Sequence, residues 1–265
     1  MAPESWSYDR IAEVYATDMG RSMPFDDVGY YREVCRTAAG AVLELGCGTG
    51  RILLDLIASG IDAIGVDRSL PMLARARADA VRCGVPSPRL AQMDITSLAV
   101  AGEFAVVLAP YSLITYLTDA DEARRMLGQL HVLLGRDGIV VLDAFVPQRV
   151  DAYSDFRQDY RRHHLDGTLE RAKRIEPLDD GTNRIERRYR LFDSHDLLLE
   201  EFVTVETIRP YSAELIVRVA TAAGFAIDSW SYDYGMRRDL AEARFATAIL
   251  KPVGRPRRAH TRSVA

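Results

Sequence analysis

Apolar runs alternate with helical patterns along residues 41–146 of this chain. The short apolar runs predict five strands, and stretches with apolar positions at i, i+3 and i+4 predict three amphipathic helices between them. Strands that alternate with helices are typical of βαβ units and a parallel sheet, so the pattern predicts an α/β fold. The predicted strands cover 41–45, 63–66, 90–93, 104–108 and 139–142, and the predicted helices cover 51–59, 71–82 and 120–134.

The pattern changes after Pro147, where charged residues become dense. Alternating stretches separated by turn sequences predict an antiparallel meander. From Ser212 a predicted helix runs to Ala223, with Gly224 as its C-cap, and leads into two strands that return to the main sheet. The meander is therefore an insertion over 147–211. The alternating stretches are 169–175, 183–192 and 197–208, the turns are 179–182 and 193–196, and the returning strands are 225–230 and 245–250.

The 265 residues, of which 48% are hydrophobic and 27% are charged, have the composition of a soluble globular protein. The formal net charge of −4 does not suit a protein that neutralises many phosphates, so nucleic acid is not an expected partner. No apolar run approaches the roughly 20 residues of a bilayer span, and the N-terminal segment lacks an apolar h-region. We therefore expect a cytoplasmic protein without a membrane span, with a disordered basic tail over 254–265.

The most specific motif is a glycine-rich turn between a predicted strand and a helix. Glycines at 46, 48 and 50 allow the backbone to approach a ligand closely. A dinucleotide fingerprint would require a further glycine at position 51, where this chain has Arg51, and no Gly-Lys-Ser/Thr follows for a P-loop. Residues 44–50, Glu-Leu-Gly-Cys-Gly-Thr-Gly, closely resemble motif I of the class I S-adenosylmethionine-dependent methyltransferases.

This resemblance implies a Rossmann-like, seven-stranded and mostly parallel sheet with helices on both faces, to which the meander adds an antiparallel β lid. It implies S-adenosyl-L-methionine as the cofactor and S-adenosyl-L-homocysteine as the product. The expected domains are N-terminal capping helices over 1–40, a cofactor-binding domain over 41–146 and 212–253, and the lid over 147–211.

Several candidate cofactor residues follow the predicted strands. Asp67 closes the second strand about twenty residues beyond the glycines, where a carboxylate accepts from both ribose hydroxyls. The resemblance implies that Asp94 takes the adenine amino group, between the apolar walls Met93 and Met72, although a turn or helix-cap role stays open for Asp94. It also implies that Glu44 organises the loop and the methionine end of the cofactor. The remaining implied cofactor residues are Gly46, Cys47, Gly48, Arg68, Ile95 and Ala109.

The N-terminal segment resembles the capping helices of small-molecule members such as the glycine and nucleotide-sugar N-methyltransferases. The resemblance rests on Ser7–Tyr15, Met19-Gly20 and Asp27–Tyr31. In those members an aromatic hydroxyl reaches the methionine carboxylate or the sulfonium region. Tyr15 and Tyr31 are the candidates for this role, with core packing as the alternative for each.

The segment 109–117 follows the fourth predicted strand, and the resemblance places it opposite the acceptor. Related sugar N-methyltransferases carry a His where this chain has Tyr116, so Tyr116 and Tyr111 are the catalytic and substrate-binding candidates, with core packing as the alternative. Methyl transfer itself requires mainly alignment and exclusion of water, and a general base is optional. Arg209 and Tyr211, where the lid rejoins the sheet, are the candidate lid contacts to the substrate.

No metal is expected. The acidic cluster that binds magnesium in catechol-type O-methyltransferases is missing after strand four, and the adjacent His163 and His164 would point to opposite faces of a strand. The cysteines Cys35, Cys47 and Cys83 include no CxxC pair, so we expect reduced thiols. Cys47 lies within the glycine turn without a base partner, and we interpret it as a packing residue.

The lid has one predicted apolar face, formed by Leu197, Leu199, Val203 and Val205. Such a face must cover either the pocket of its own chain or a second copy, so we expect a monomer or a homodimer through the lid. The function predicted from all these features is methyl transfer to N or O of a small molecule, in secondary metabolism. A methyltransferase of protein or RNA and a non-catalytic cofactor-binding regulator remain as alternatives.

Overall fold

The computed structural model describes residues 7–19, 25–147 and 153–254. The predictions for Gly20, for residues 1–6 and for the basic tail beyond 254 lie outside these ranges. The helices are α1 (Ser7–Ile11), α2 (Tyr15–Met19), α3 (Asp27–Arg36), α4 (Leu53–Ala58), α5 (Leu70–Arg82), α6 (Ala120–Leu133) and α7 (Ala213–Ala222), with 3-10 turns at Leu113–Tyr116 and Asp233–Gly235. The strands are β1 (Val42–Leu45), β2 (Ala63–Asp67), β3 (Arg89–Gln92), β4 (Phe104–Ala109), β5 (Leu134–Phe145), β6 (Tyr153–His164), β7 (Gly167–Pro177), β8 (Asn183–Phe192), β9 (Leu198–Ile208), β10 (Phe225–Tyr232) and β11 (Phe245–Pro252).

Seven strands form the main sheet in the spatial order β3-β2-β1-β4-β5-β11-β10. Strands β1 to β5 run parallel, while β11 pairs antiparallel with both β5 and β10. The chain reverses its direction of winding between β1 and β4, where Val42 pairs with Val106. In open α/β sheets, ligands bind beyond the carboxyl ends of the strands at such a switch point. The predicted seven-stranded Rossmann-like fold is confirmed.

Helices bury apolar stripes on both faces of this sheet. One face packs against α6 and α7, through side chains such as Leu127, Leu130 and Ile216, and the other packs against α3 and α4, through Tyr31 and Leu53. The predicted elements agree with the structure except at their ends. Strand β5 begins at Leu134, which terminates α6 one residue earlier than predicted. In the described part of the chain, no helix is long and apolar enough to cross a membrane.

Strands β6, β7, β8 and β9 form the lid, a second antiparallel sheet joined in sequence order. It contains one strand more than the three alternating stretches predict. Strand β6, with the sequence Tyr-Ser-Asp-Phe-Arg-Gln-Asp-Tyr-Arg-Arg-His-His, is too polar to show an apolar alternation. The predicted turns at 179–182 and 193–196 connect β7 to β8 and β8 to β9.

The apolar face predicted for β9 is largely exposed, and of its four residues Val205 alone lines a cavity. This corrects the first of the two expected roles, cover of the chain's own pocket, while contact with a second copy stays a prediction. Val203 and Val205 are 47% and 45% exposed, and Leu199 is 64% exposed. The alternate positions Thr204 and Glu206 are buried instead. These two inward positions of β9 are polar, so hydrophobicity alone assigns the two faces of this strand the wrong way round.

Candidate active site

The glycine turn begins where β1 ends. Gly46 and Gly48 have φ values of +63° and +54°, in the left-handed region that favours glycine. A Cβ atom at Gly46 would lie 2.8 Å from Leu113 Cδ1, so the turn also needs glycine there for space. The backbone amide of Cys47 donates to Val66 O at 3.0 Å, which ties the turn to the adjacent strand.

Asp67, the last residue of β2, braces this turn with its carboxylate. Its Oδ2 accepts from the Gly48 amide at 2.8 Å and its Oδ1 accepts from the Ser69 amide at 2.8 Å. Burial raises the pKa of Asp67, although these hydrogen bonds oppose the shift. A carboxylate has about four acceptor sites, so Asp67 retains capacity for a further donor beside its backbone partners.

A cavity of about 360 Å³, here called the loop cavity, opens at the carboxyl ends of four neighbouring strands. Gly46, Asp67, Met93 and Pro110, which end or directly follow β1, β2, β3 and β4, all line it. The structure thus brings together residues that lie far apart in the sequence. The predicted cofactor residues that line the loop cavity are Tyr15, Gly46, Gly48, Asp67, Arg68, Met93, Asp94 and Ile95.

Asp94 lies at the rim of the loop cavity in a local turn. Its Oδ1 accepts from both the amide and the hydroxyl of Thr96, at 2.8 and 2.7 Å. Partial burial raises the pKa of Asp94, but these two hydrogen bonds outweigh it and leave the pKa below its ordinary value. The turn role and a ligand role are compatible, because Oδ2 takes no part in the turn.

Five predicted cofactor residues do not line the loop cavity. The Tyr31 side chain is fully buried and its hydroxyl donates to Asp143, while Met72 packs in an apolar cluster with Ile11 and Tyr189. The structure therefore corrects the prediction that these two residues contact the cofactor, because both side chains are packed in the core. The other three residues, Glu44, Cys47 and Ala109, lie buried beneath the turn and the strand ends.

Glu44 is a buried carboxylate whose Oε2 has no hydrogen-bond partner among the described residues. Burial raises its pKa to about 8, against the opposing charge of Arg51 and with support from Asp67. Arg51 itself forms a two-pronged ion pair with Asp27 of α3, at 2.8 and 2.5 Å, and its guanidinium lies 5.9 Å from the centre of the Tyr111 ring. This pair links α3 to the residue that follows the glycine turn, and no local sequence pattern predicts it.

A second cavity of about 720 Å³, here called the lid cavity, lies between the lid and the main sheet. The lid contributes side chains from β7, β8 and β9, including Arg171, Ile185 and Ile208, and the sheet contributes Phe145 and Phe245. Both cavities share one wall. The residues of this shared wall are Tyr8, Tyr15, Tyr111, Tyr116 and Glu206.

The tyrosines of the shared wall are held as neutral hydroxyls. Tyr8 and Tyr116 form a hydrogen bond through their hydroxyl groups. Burial raises the pKa of both side chains, and it raises the pKa of Tyr111 to about 12. These phenols therefore serve as hydrogen-bond donors and packing surfaces near neutral pH, and none is positioned to be a phenolate base.

A strained turn fixes Tyr111 in the shared wall. Tyr111 and Ser112 have φ values of +55° and +57°, which non-glycine residues adopt at a cost. The buried Asp143 holds this turn by accepting from the Ser112 amide at 2.5 Å, and it also accepts from the hydroxyls of Tyr31 and Tyr234. Asp143 is therefore the residue through which the core sets the geometry of the wall.

The predicted lid contacts Arg209 and Tyr211 do not line either cavity. The Arg209 guanidinium donates to Thr118 O, and the fully buried Tyr211 donates to Leu117 O at 2.7 Å. Their side chains satisfy backbone carbonyls that follow the 3-10 turn, which corrects the expectation of a substrate contact. Pro210, between them, is the residue that lines the lid cavity.

The lid cavity contains two carboxylates that no sequence motif predicts. Asp18 on α2 accepts from Tyr160 and Arg171 at Oδ1 and from Tyr189 at Oδ2. Glu206 on β9 pairs with Arg187. The alternation of β9 is the signal that could have located Glu206, if its polar face had been assigned to the cavity. Among the described residues, no group of three or more His, Cys, Asp or Glu side chains is placed to hold a metal ion.

The sheet order, the switch point and the cavity at the strand ends define an α/β protein of the nucleotide-cofactor-binding type. Comparison with known proteins narrows this class. The family model of a methyltransferase domain matches residues 42–138. With the glycine motif and the fold, this match shows that residues 42–138 are similar to a methyltransferase domain.

Individual relatives agree with the family. A protein of Geobacillus sp. (strain WCH70), named as a methyltransferase, is 31% identical over 116 residues, which cover 44% of this chain and 47% of that protein. The chain thus spans about half the length of the curated relatives it matches. The structure of the CcbJ methyltransferase from Streptomyces caelestis superposes with a TM-score of 0.79 at 23% identity, covering 95% of this chain and all of that chain. Adenosylmethionine-bound CalS10, an amino pentose methyltransferase from Micromonospora echinaspora, has a TM-score of 0.69 at 23% identity, over 89% of this chain and 96% of that chain.

Proposed function

We propose that this protein transfers a methyl group from S-adenosylmethionine to a nitrogen or oxygen atom of a small molecule. One observation carries the proposal, which is the shared wall between the loop cavity and the lid cavity. A two-substrate transfer needs two adjoining sites whose reacting atoms meet at their boundary. The loop cavity is the donor site in this proposal, and the lid cavity is the acceptor site.

The loop cavity fits the cofactor that the family implies. The glycine turn offers backbone without side chains, and the Asp67 carboxylate retains acceptor capacity for the ribose hydroxyls. Asp94 has an oxygen for the adenine amino group, and Met93 and Ile95 supply apolar contacts for the ring. When bound, S-adenosylmethionine supplies an electrophilic methyl group on a sulfonium.

The protein's contribution to such a reaction is to align the acceptor atom with the methyl group and to exclude water. A displacement at a methyl carbon requires the acceptor atom in line with the bond that breaks, and it is slowed by competing water. Tyr8, Tyr111 and Tyr116 form an aromatic boundary at this point. The hydrogen bond between Tyr8 and Tyr116 and the fixed turn at Tyr111 keep these rings in place.

A small acceptor is favoured because the lid covers the second site. Strands β7, β8 and β9 line one side of the lid cavity, so an acceptor has to fit between two sheets. The volume of about 720 Å³ lies within the usual range for small-molecule sites. CalS10, an amino pentose methyltransferase, shares this fold, which supports an acceptor of that size from secondary metabolism. We assign the reaction to the cytoplasm as part of the same proposal.

The test is transfer of a labelled methyl group. The purified protein is incubated with methyl-labelled S-adenosylmethionine and separate pools of metabolites, proteins and RNA, and the label is followed into each pool. We expect label in small molecules alone. Label confined to protein or RNA would establish the macromolecular alternative. Tight binding of S-adenosylhomocysteine without transfer to any pool would favour the non-catalytic regulator.

A further inference from the structure

Glu206 occupies an unusual place on the shared wall. On β9 its side chain points inward and is 3% exposed, while its neighbour Val205 is 45% exposed. Glu206 is the carboxylate among the five residues of the wall, and the other four are tyrosines. A carboxylate buried at the boundary of two ligand cavities needs a partner that offsets its desolvation.

Only one oxygen of Glu206 has such a partner within the described ranges. Its Oε2 accepts from Arg187 Nη1, whereas Oε1 makes no hydrogen bond to another described residue. Asp18, the other carboxylate of the lid cavity, has both oxygens engaged by Tyr160, Arg171 and Tyr189. Glu206 lines both cavities, so a donor on a ligand in either cavity can reach this open oxygen.

The neighbours of Glu206 narrow the chemistry of that donor. Tyr8 and Tyr116 form a hydrogen bond with each other, which uses one of their two hydroxyl protons. A carboxylate oxygen accepts hydrogen bonds but does not donate them, so the ligand group must carry a proton. An anionic acceptor such as a carboxylate or phenolate would be repelled, whereas an ammonium would form a charge-assisted hydrogen bond.

We propose that Glu206 binds the protonated amine of the methyl acceptor and takes its proton as the methyl group is transferred. The inference rests on the proposed function and deepens it by naming the acceptor class, a primary or secondary amine. Arg187 is then a positioning residue, which holds the Glu206 carboxylate against the wall through Oε2.

The step balances in atoms and charge. A proton moves from the ammonium nitrogen to Oε1 of Glu206, and the freed lone pair forms the new N–C bond. The C–S bond breaks with its electron pair kept by sulfur, so that the sulfonium becomes a neutral thioether. One positive charge is present before and after, first as ammonium plus sulfonium minus carboxylate, and then as the methylated ammonium.

Binding of two cofactor analogues tests the role of Glu206 without knowledge of the acceptor. Sinefungin carries an amine in place of the sulfonium methyl group, and S-adenosylhomocysteine carries no group there. Titration calorimetry compares both ligands on the parent protein, on Glu206→Gln and on Glu186→Gln. Glu186 is the matched control because it is a lid carboxylate paired with Arg174 on neighbouring strands, outside both cavities.

We expect Glu206→Gln to weaken sinefungin about 10 to 100-fold while S-adenosylhomocysteine stays within about twofold. Glu186→Gln should leave both affinities unchanged. Unchanged sinefungin affinity in Glu206→Gln, or an equal loss for both ligands, would overturn the proposal. If neither analogue binds the parent protein, the proposed function itself fails, which is a separate outcome.

Acceptor pairs provide the second readout. The labelled-methyl assay is run on amino sugars and on the same sugars with hydroxyl in place of the amine. We expect transfer to amines alone, a large fall in kcat in Glu206→Gln, and partial recovery in Glu206→Asp. An unchanged kcat on the amino sugars in Glu206→Gln, or transfer to the hydroxyl partners by the parent protein, would contradict the role of this carboxylate.

Discussion

The loop cavity and the lid cavity share a wall, yet they are built in different ways. The base of the loop cavity is formed by the ends of consecutive strands and by one compact glycine turn, whose residues follow a regular order along the chain, while α1, α2 and β9 complete its walls. The lid cavity collects side chains from α1, α2, the lid and the ends of β5 and β11. The first is set by the topology of the sheet, and the second by long-range packing. The difference implies that substitutions in the two regions should separate cofactor binding from acceptor chemistry.

Asp143 joins the two regions, and its loss should have the largest effect. Asp143→Ala leaves the Ser112 amide and the hydroxyls of Tyr31 and Tyr234 without an acceptor in the core. We expect the free energy of unfolding to fall by about 3 to 5 kcal/mol. Denaturant unfolding measures it. Asp137→Ala on the same strand is the exposed control and should change stability by less than about 0.5 kcal/mol. A loss in Asp143→Ala below about 1 kcal/mol would show that the strained turn is held by other contacts.

Glu44, beside the loop cavity, should make the free energy of unfolding depend on pH. Because its folded pKa is raised to about 8, the folded state keeps a proton that the unfolded chain releases near its ordinary pKa. The contribution is complete below the unfolded pKa and is lost as pH rises toward 8. Between about pH 5.5 and 7.5 the free energy of unfolding should therefore fall by about 1.4 kcal/mol per pH unit relative to Glu44→Gln. Unfolding curves at several pH values check this, and parallel pH profiles of the two proteins would refute it.

Asp67→Ala should impair cofactor binding and leave the lid cavity intact. The variant removes an acceptor for two ribose hydroxyls and a brace of the glycine turn, so S-adenosylhomocysteine should bind about 10 to 150-fold more weakly, about 1.5 to 3 kcal/mol. Asp62→Ala, before the opposite end of the same strand, removes an exposed partner of Arg89 and serves as the control. Equal affinities in both variants would place the ribose elsewhere.

Gly48→Ala separates backbone strain from ligand contact and has the smallest expected effect on stability. At Gly48 the φ is +54° and an added Cβ would meet no protein atom closer than Gly46 O at 4.0 Å. Gly84, after α5, has φ +66° and equally open space. Both alanine variants should lose about 1 kcal/mol of stability. Only Gly48→Ala should also lose affinity for S-adenosylhomocysteine, and equal affinities would mean that the cofactor does not approach the turn.

The sequence predicts the loop cavity well for a physical reason. Parallel strands place their carboxyl ends at one edge, so Gly46, Asp67 and Met93 meet once the strand order is known. The sequence also predicts ligand contacts for nearby side chains such as Met72 and Tyr31, which are buried in the core. The period of a helix or strand does not tell whether a residue faces the core or the ligand. The N-terminal pattern predicts Tyr15 in the wall without telling which of the nearby tyrosines accompanies it.

The lid shows where sequence reasoning ends. A period of two separates the faces of β9 but does not tell which face meets the cavity, and the apolar residues Val203 and Val205 prove to be the outer ones. Glu206 lies on the other face, and its role depends on Arg187, Tyr8 and Tyr116 from three other segments. Polar residues that converge from distant parts of the chain leave no local pattern.

Calorimetric titration of the parent protein with S-adenosylhomocysteine and, separately, with NAD tests the central assignment of the loop cavity most directly. We expect saturable one-site binding of S-adenosylhomocysteine, which Asp67→Ala weakens and Asp62→Ala does not, and we expect no binding of NAD. Binding of NAD without binding of S-adenosylhomocysteine would contradict it, because the glycine turn would then serve a dinucleotide.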